Sequence, residues 1–359
     1  MNALKLGDLT ISVPVFQGGM GVGVSLSGLA SAVANEGGVG VISSAGLGLL
    51  YKKMSADYFE ACIIGLKKEI EKAREKTKGI IGVNIMVAMT NYADMVKTAL
   101  SEKVDVIISG AGLPLDLPKY REAFSSSTTK LIPIVSSSRA AKLICEKWKT
   151  LYDYLPDAIV VEGPKAGGHL GFKSEQLEDE NFSIQELIPQ VCKEVKEFEK
   201  IYDTKIPVIA AGGIYTGEDI YNIMQLGASG VQLGTRFVTT DECDADISFK
   251  QMYIDAEEKD IEIIKSPVGM PGRAIHNEFL TKVKNGEKMP IDCKFHCLKT
   301  CDWKKSPYCI VLALYSAYNG NLNAGYAFAG HNAFKATEIV SVKSVFESLQ
   351  LEYSAVAKN

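Results

Sequence analysis

The chain has 359 residues, 47% of them apolar and 23% charged, and a formal net charge of −4. That composition excludes a disordered or fibrous chain, and so small a charge gives no bias toward nucleic acid or an anionic membrane. The length suits one α/β barrel with insertions, about 200 to 400 residues; residues 1–9, interrupted by Lys5 and Asp8, lack the apolar run of a secretory signal, so a cytoplasmic protein is expected.

Along the chain, eight short β-branched runs bounded by glycine or polar residues read as strands: residues 13–17, 39–43, 81–86, 104–109, 131–135, 158–162, 207–211 and 230–233. Amphipathic segments at helical spacing fall between them, at 57–76, 139–151, 183–200 and 217–226. The stretch 18–50, rich in Gly, Ala, Val and Ser, is divided by Asn35 and Glu36 and its glycines make poor continuous helix, so it reads as barrel core and not as a membrane span. Alternating strands and helices imply parallel pairing through crossover helices, and eight such units favour a closed (β/α)8 TIM barrel over an open doubly wound sheet. The barrel is expected over 1–240, followed by a charged, irregular cap or insert over 241–307. Helical periodicity returns at 308–319 and 342–351, so 308–359 is expected to pack back on the barrel.

In such barrels chemistry gathers on the loops after the strands, and the strand ends here are unlike ordinary turns. They read Gln17-Gly18-Gly19-Met20, Gly82-Val83-Asn84, Ser109-Gly110-Ala111-Gly112, Glu162-Gly163-Pro164-Lys165-Ala166-Gly167-Gly168-His169, Ala211-Gly212-Gly213 and Gly234-Thr235-Arg236. The last two follow the seventh and eighth strands, where barrels build phosphate sites from glycine backbone N–H groups; tight turns alone would also explain them. A dinucleotide fingerprint at Gly19, Gly21 and Gly23 has the wrong spacing, and the second strand ends in Ser43-Ser44 without the acidic residue that holds a ribose. His169, one of four histidines, lies on a glycine-rich loop at the reactive face, where an imidazole can serve as general acid or base or be merely structural.

These segments together resemble the nitronate monooxygenase and enoyl-ACP reductase II superfamily of FMN barrels. The likeness spans nearly the whole chain. It is carried by Pro14-Val15-Phe16-Gln17-Gly18-Gly19-Met20, Gly82-Val83-Asn84, Ser109 to Gly112, Glu162 to Gly171, Ile209-Ala210-Ala211-Gly212-Gly213-Ile214 and Gly230 to Phe237. The resemblance implies that Gly18, Gly19, Met20, Asn84, Ser109, Glu162 and Gly168 line the flavin. It implies further that Gly212, Gly213, Gly234 and Thr235 hold the FMN phosphate and that His169 is catalytic.

Cys293, Cys297, Cys301 and Cys309 form a C-x3-C-x3-C-x7-C series. Four thiolates suit an iron–sulfur cluster, expected as 4Fe-4S, or a zinc ion, although the close C-x2-C pair usual for zinc is absent; reduced structural thiols are the third reading. Cys62, Cys145, Cys192 and Cys243 are scattered and read as reduced thiols. With this series, Met20-Gly21-Val22-Gly23, Lys265-Ser266-Pro267-Val268-Gly269, Arg273-Ala274-Ile275 and Tyr308-Cys309-Ile310, the chain is most similar to the flavin and iron–sulfur decanoyl-ACP dehydrogenase/isomerase branch. A shorter gap before the last cysteine is the departure.

That branch implies an acyl thioester substrate, His169 removing the α-proton while flavin N5 accepts the β-hydride. Nitronate oxidation, NAD(P)H-dependent enoyl-ACP reduction and a noncatalytic redox sensor are the rivals. Lys282, Lys284, Lys288, Lys294, Lys299, Lys304 and Lys305 outnumber Glu287, Asp292 and Asp302 over 281–305. An acidic acyl carrier protein could dock on such a face, which a solvated lysine-rich surface explains equally well. A small-molecule or carrier-bound acyl substrate is therefore expected, with no nucleic acid or membrane partner; a homodimer is open.

Overall fold

The computed structural model describes residues 1–124, 127–287, 289 and 292–358. Eight parallel strands close into a barrel: β1 (Val15–Gln17), β2 (Val39–Ser43), β3 (Ile80–Met86), β4 (Val106–Gly110), β5 (Lys130–Val135), β6 (Ile159–Glu162), β7 (Val208–Ala211) and β8 (Gly230–Leu233). Closure comes from β8 against β1, with Val231 opposite Val15 and Leu233 opposite Gln17. The first strand starts later than its β-branched run because Pro14 has no amide hydrogen and the Val13 N–H is spent on Gly37 O.

The barrel obeys the two-residue alternation of a strand. Phe16, Val41, Ile108, Ile132, Val160 and Ile209 fill the interior. Their neighbours Val15, Ile42, Ile107, Leu131, Ile159, Val161, Val208 and Ala210 pack outward against the helices. An antiparallel hairpin that the sequence reading did not anticipate, Leu4–Leu6 with Leu9–Ile11, adds Leu4, Leu6 and Ile11 to the interior cluster. It sits at the end where strands begin, since Asp8 pairs with Lys130 at the start of β5. The opposite end is left for loops.

The outer helices are delimited by their own side chains. Asp57 accepts from Glu60 N–H at the start of Tyr58–Lys76, and Ser137 accepts from Ala140 N–H at the start of Ser138–Tyr152. Ser138–Tyr152 then buries Ala141, Ile144, Cys145 and Trp148, a stripe at helical spacing. Ile184–Tyr202 and Gly217–Gln225 complete the crossovers read from the sequence.

Residues 241–307 are more regular than their charge suggested. They hold helix Ile247–Asp255, a hairpin of Ile261–Lys265 with Pro271–Ile275, and helix Glu278–Lys284. With helix Ile310–Tyr318 they enclose a small core of Phe279, Leu280, Tyr308, Ile310, Ala313 and Tyr326. The charges form the outer face of elements whose inner face is apolar. Helix Val342–Ala357 returns to the barrel: Glu352 accepts from Gly217 N–H at 2.6 Å, and Tyr353 packs edge-on against Tyr221. Among the described residues no helix is long and apolar enough to cross a membrane.

Candidate active site

A cavity of about 710 Å³ opens where the strands end. Gly18, Gly19 and Met20 after β1, Asn84 in β3, Glu162 ending β6, Gly168 and His169 beyond it, Gly212 and Gly213 after β7, and Gly234 and Thr235 after β8 all line it. Glycine is required at two of these places by geometry. A Cβ on Gly19 would stand 2.2 Å from Asn84 Cβ, so only glycine lets that amide lie across the strand end. Gly212 has φ +91°, and a Cβ there would meet Gly163 O at 2.8 Å. The turn is braced from outside by Asn332, which donates to Gly213 O at 2.7 Å, and by Gly330 N–H, which donates to Thr235 Oγ1 at 2.9 Å.

Ser109 does not join this set. It alternates with Ile108, which fills the barrel interior, and so points outward; its hydroxyl donates to Ile85 O and meets Tyr92 Oη, both at 3.0 Å, in fully buried surroundings. The cofactor-lining role expected for it is corrected to a structural one.

The loop carrying His169 is pinned by a residue to which the sequence reading gave no role. Arg273, 3% exposed, donates to Pro164 O at 2.5 Å and Ala166 O at 2.8 Å. Strand Gly168–His169 adds to the Pro271–Ile275 edge, His169 opposite Gly272. The imidazole lies at the cavity, edge-on to the Phe328 ring at 5.1 Å, and its Nε2 is 2.7 Å from Ser266 Oγ. Burial lowers its pKa to about 4, so the ring is neutral at physiological pH. Glu162, reached by solvent only through the cavity, is pushed by burial up to about 7.

This rim fits a flavin nucleotide. Gln232 Oε1, on the cavity wall, is buried without a hydrogen-bond partner among the described residues, an acceptor awaiting a donor from a bound group. Above Gly168 a Cβ would meet nothing within 4 Å, which leaves room. A dinucleotide is excluded from the first turn by a direct observation: the start of helix Ser27–Asn35 is already occupied by protein carboxylates. Asp244 accepts from the N–H groups of Leu26, Gly28 and Leu29, and Glu69 from that of Ser27.

The family profile described as nitronate monooxygenase matches residues 2–352. The chain belongs to the nitronate monooxygenase family. It is therefore a flavin-dependent oxidoreductase on a (β/α)8 barrel. Similar proteins include (3aS,4S,5R,7aS)-5-hydroxy-7a-methyl-1-oxo-octahydro-1H-indene-4-carboxyl-CoA dehydrogenase of Mycobacterium tuberculosis, 30% identical over 77% of this chain and 67% of the relative. A probable nitronate monooxygenase of Staphylococcus haemolyticus is 27% identical over 78% of this chain and 80% of its own. Among solved structures, FabK from Thermotoga maritima superposes with a TM-score of 0.75 and 29% identity, covering 97% of this chain and 94% of that one. Nitroalkane oxidase from Streptomyces ansochromogenes, at 22% identity and a TM-score of 0.73 over 97% of both chains, shares the fold.

In this nitronate monooxygenase family member the cysteine-bearing segment forms one wall of the same cavity. Thr90 N–H donates to Cys297 O and Lys299 N–H to Ala88 O, tying the segment to the loop after β3, and Cys297 and Leu298 line the cavity. The thiols of Cys293, Cys297, Cys301 and Cys309 are close enough to act on one another: burial first, then its three neighbours, push Cys297 up to about 12. Among the described residues, however, no three His, Cys, Asp or Glu side chains stand close enough to hold a metal ion, so the metal site expected from the spacing is not formed in this arrangement. Zinc would need sulfurs about 3.8 Å apart, from Zn–S bonds of about 2.3 Å in a tetrahedron.

Among the described residues, three of the seven lysines of the lysine-rich face are paired with carboxylates. Lys282 pairs with Glu278, Lys284 with Glu262 and Lys305 with Asp302, and Lys299 donates to Val87 O. Lys288 lies outside the described residues.

Proposed function

We propose that this enzyme dehydrogenates or isomerises an acyl thioester, with His169 moving the proton. The observation that carries the reading is a neutral, buried imidazole on a cavity whose further wall is apolar, made by Met89, Leu298, Ile310, Val311 and Leu314. Such a wall suits an aliphatic chain better than a small nitronate. The coenzyme A thioester in the name of the Mycobacterium tuberculosis relative supports it.

FMN would be held by Gly18, Gly19, Met20, Asn84, Glu162, Gly168 and Gln232 along the rim, with its phosphate at Gly212, Gly213, Gly234 and Thr235. When bound it would supply an acceptor for the β-hydride. His169 takes the α-proton as a neutral base: in dehydrogenation that proton leaves to solvent, and in the redox-neutral isomerisation of a β,γ-unsaturated thioester it returns to the γ-carbon and so moves the double bond. Phe328 and the hairpin pack against the imidazole and hold its orientation. Cys293, Cys297, Cys301 and Cys309 would hold an iron–sulfur cluster, a reading supported by their four-cysteine series and by its want of the close C-x2-C pair usual for zinc. Iron and acid-labile sulfide analysis of anaerobically purified protein checks this, and an iron-free protein with zinc in stoichiometric amount contradicts it.

Anaerobic mixing tests the reaction. Bleaching of bound flavin by a saturated acyl-ACP thioester is expected. Bleaching by propionate 3-nitronate alone would instead make the chain a nitronate monooxygenase in activity, and bleaching by NAD(P)H alone an enoyl-ACP reductase II.

A further inference from the structure

One hairpin holds His169 twice. Its second strand, Pro271–Ile275, pairs with the His169 backbone, and the residue that opens its turn, Ser266, meets the ring at 2.7 Å. Ser266 is itself immobilised: its N–H donates to Met270 O at 3.0 Å, its carbonyl accepts from Gly269 N–H at 2.9 Å, and it is 2% exposed. Val268 N–H donates to the hydroxyl oxygen at 3.4 Å, which fills one of its two lone pairs and leaves the other for the ring. The ring contact is made by Nε2, on the protein side. Nδ1 has no partner among the described residues and is not among the closed-off unpaired atoms, so it is the nitrogen left to the cavity.

A neutral imidazole carries one proton, and which nitrogen bears it follows from the hydrogen bond made by the other. Solvent would allow both tautomers. For Nδ1 to take a proton its lone pair must be free, so Nε2 must carry the hydrogen and have an acceptor. Among the described residues Ser266 Oγ is the group within hydrogen-bond reach of Nε2, at 2.7 Å. Phe328, Ser266 and the paired strand surround the ring, and all are neutral there.

We propose that Ser266 is a positioning residue that accepts the hydrogen bond from His169 Nε2–H and so presents the Nδ1 lone pair to the substrate. The substrate C–H bond breaks, its proton forms an N–H bond at Nδ1, and the ring becomes an imidazolium still bound through Nε2–H to Ser266. The electron pair of the broken bond passes into the thioester enolate; in isomerisation the proton returns to the γ-carbon of that enolate, in dehydrogenation it leaves to solvent, and either restores the neutral ring. This inference rests on the proton-abstracting role proposed above. The hairpin thereby forms part of the reaction site.

The test uses flavin-loaded enzyme carrying ¹⁵N-histidine, with the His169 signals assigned by loss in His169→Asn. The parent is expected to show a protonated Nε2 and an unprotonated Nδ1 at neutral pH. Ser266→Ala is expected to give a mixture of tautomers and Ser266→Thr to restore the single one. In stopped-flow reduction by an acyl thioester, Ser266→Ala should lower kcat about tenfold or more, part of the about 10²- to 10⁴-fold a positioned base contributes, with KM within about twofold. A parent with the proton on Nδ1, or an Ala variant with unchanged tautomer and kcat, overturns the proposal. If no thioester reduces the parent's flavin, the substrate reading falls alone, because the tautomer measurement needs no substrate.

Discussion

Two titratable side chains face the cavity with pKa values displaced in opposite senses, and each leaves a signature of opposite sign. Glu162 ordinarily ionises near 4.5 but keeps its proton to about 7 in the fold. Between those values the unfolded chain binds fewer protons than the folded one, so stability falls as pH rises and the loss is complete above about 7. Glu162→Gln cannot titrate. Flavin-free Glu162→Gln should therefore unfold at higher temperature than its parent at pH 8, by at most about 3 kcal/mol, and coincide with it near pH 4. A difference that stayed constant across that range would mean the carboxyl is not desolvated. His169 acts the other way: its ordinary value of 6.5 falls to about 4, so its neutral state costs stability progressively as pH drops from 6.5 to 4. Replacing it by Ala should leave the flavin bound and slow flavin reduction at least about 100-fold. Reduction at the parental rate would remove His169 from the chemistry.

Elements, rather than single residues, decide what the sequence could disclose. The barrel strands were legible because strands buried on both faces are uninterrupted β-branched runs, and two of them, Val39–Ser43 and Gly230–Leu233, coincide with their runs. The rim glycines and His169 were legible as breaks in that pattern. Ser109 was misplaced because it closes a β-branched run at the rim, yet it alternates with Ile108, whose side chain fills the barrel interior, and so faces outward. Ser266 and Arg273 were given no role because their partners lie about a hundred residues away and meet them only through an antiparallel edge that spacing does not encode. Arg273 offers a test of that edge. It neutralises two carbonyls of the loop before His169, so Arg273→Met should cost about 2–4 kcal/mol of stability and speed proteolysis between residues 163 and 168. Loss of stability without local cleavage would show that the loop is held by other contacts.

At the scale of the whole molecule, two cores meet at one cavity. The barrel supplies the rim glycines, and the cap supplies Ser266, Cys297, Leu298 and Val311 around its own centre of Phe279, Tyr308 and Tyr326. Because the small core is separate from the barrel cluster, the cap can loosen without unfolding the strands. If the four thiols hold a cluster, that cluster crosslinks residues 293–309, and removing it leaves the segment tied to the barrel side by Thr90, Lys299, a bridge between Met89 and Leu298 and the packing of Phe295 on Tyr58. Chelation of iron from flavin-loaded protein should therefore raise hydrogen exchange at least about tenfold over residues 292–318 and leave the strand amides of β1 to β8 protected, since the barrel's ladders do not depend on the cap. Flavin fluorescence should rise with it as the cavity wall withdraws. Exchange that increased equally in barrel and cap would mean that the two cores unfold as one unit and that the cap does not move by itself against the rim.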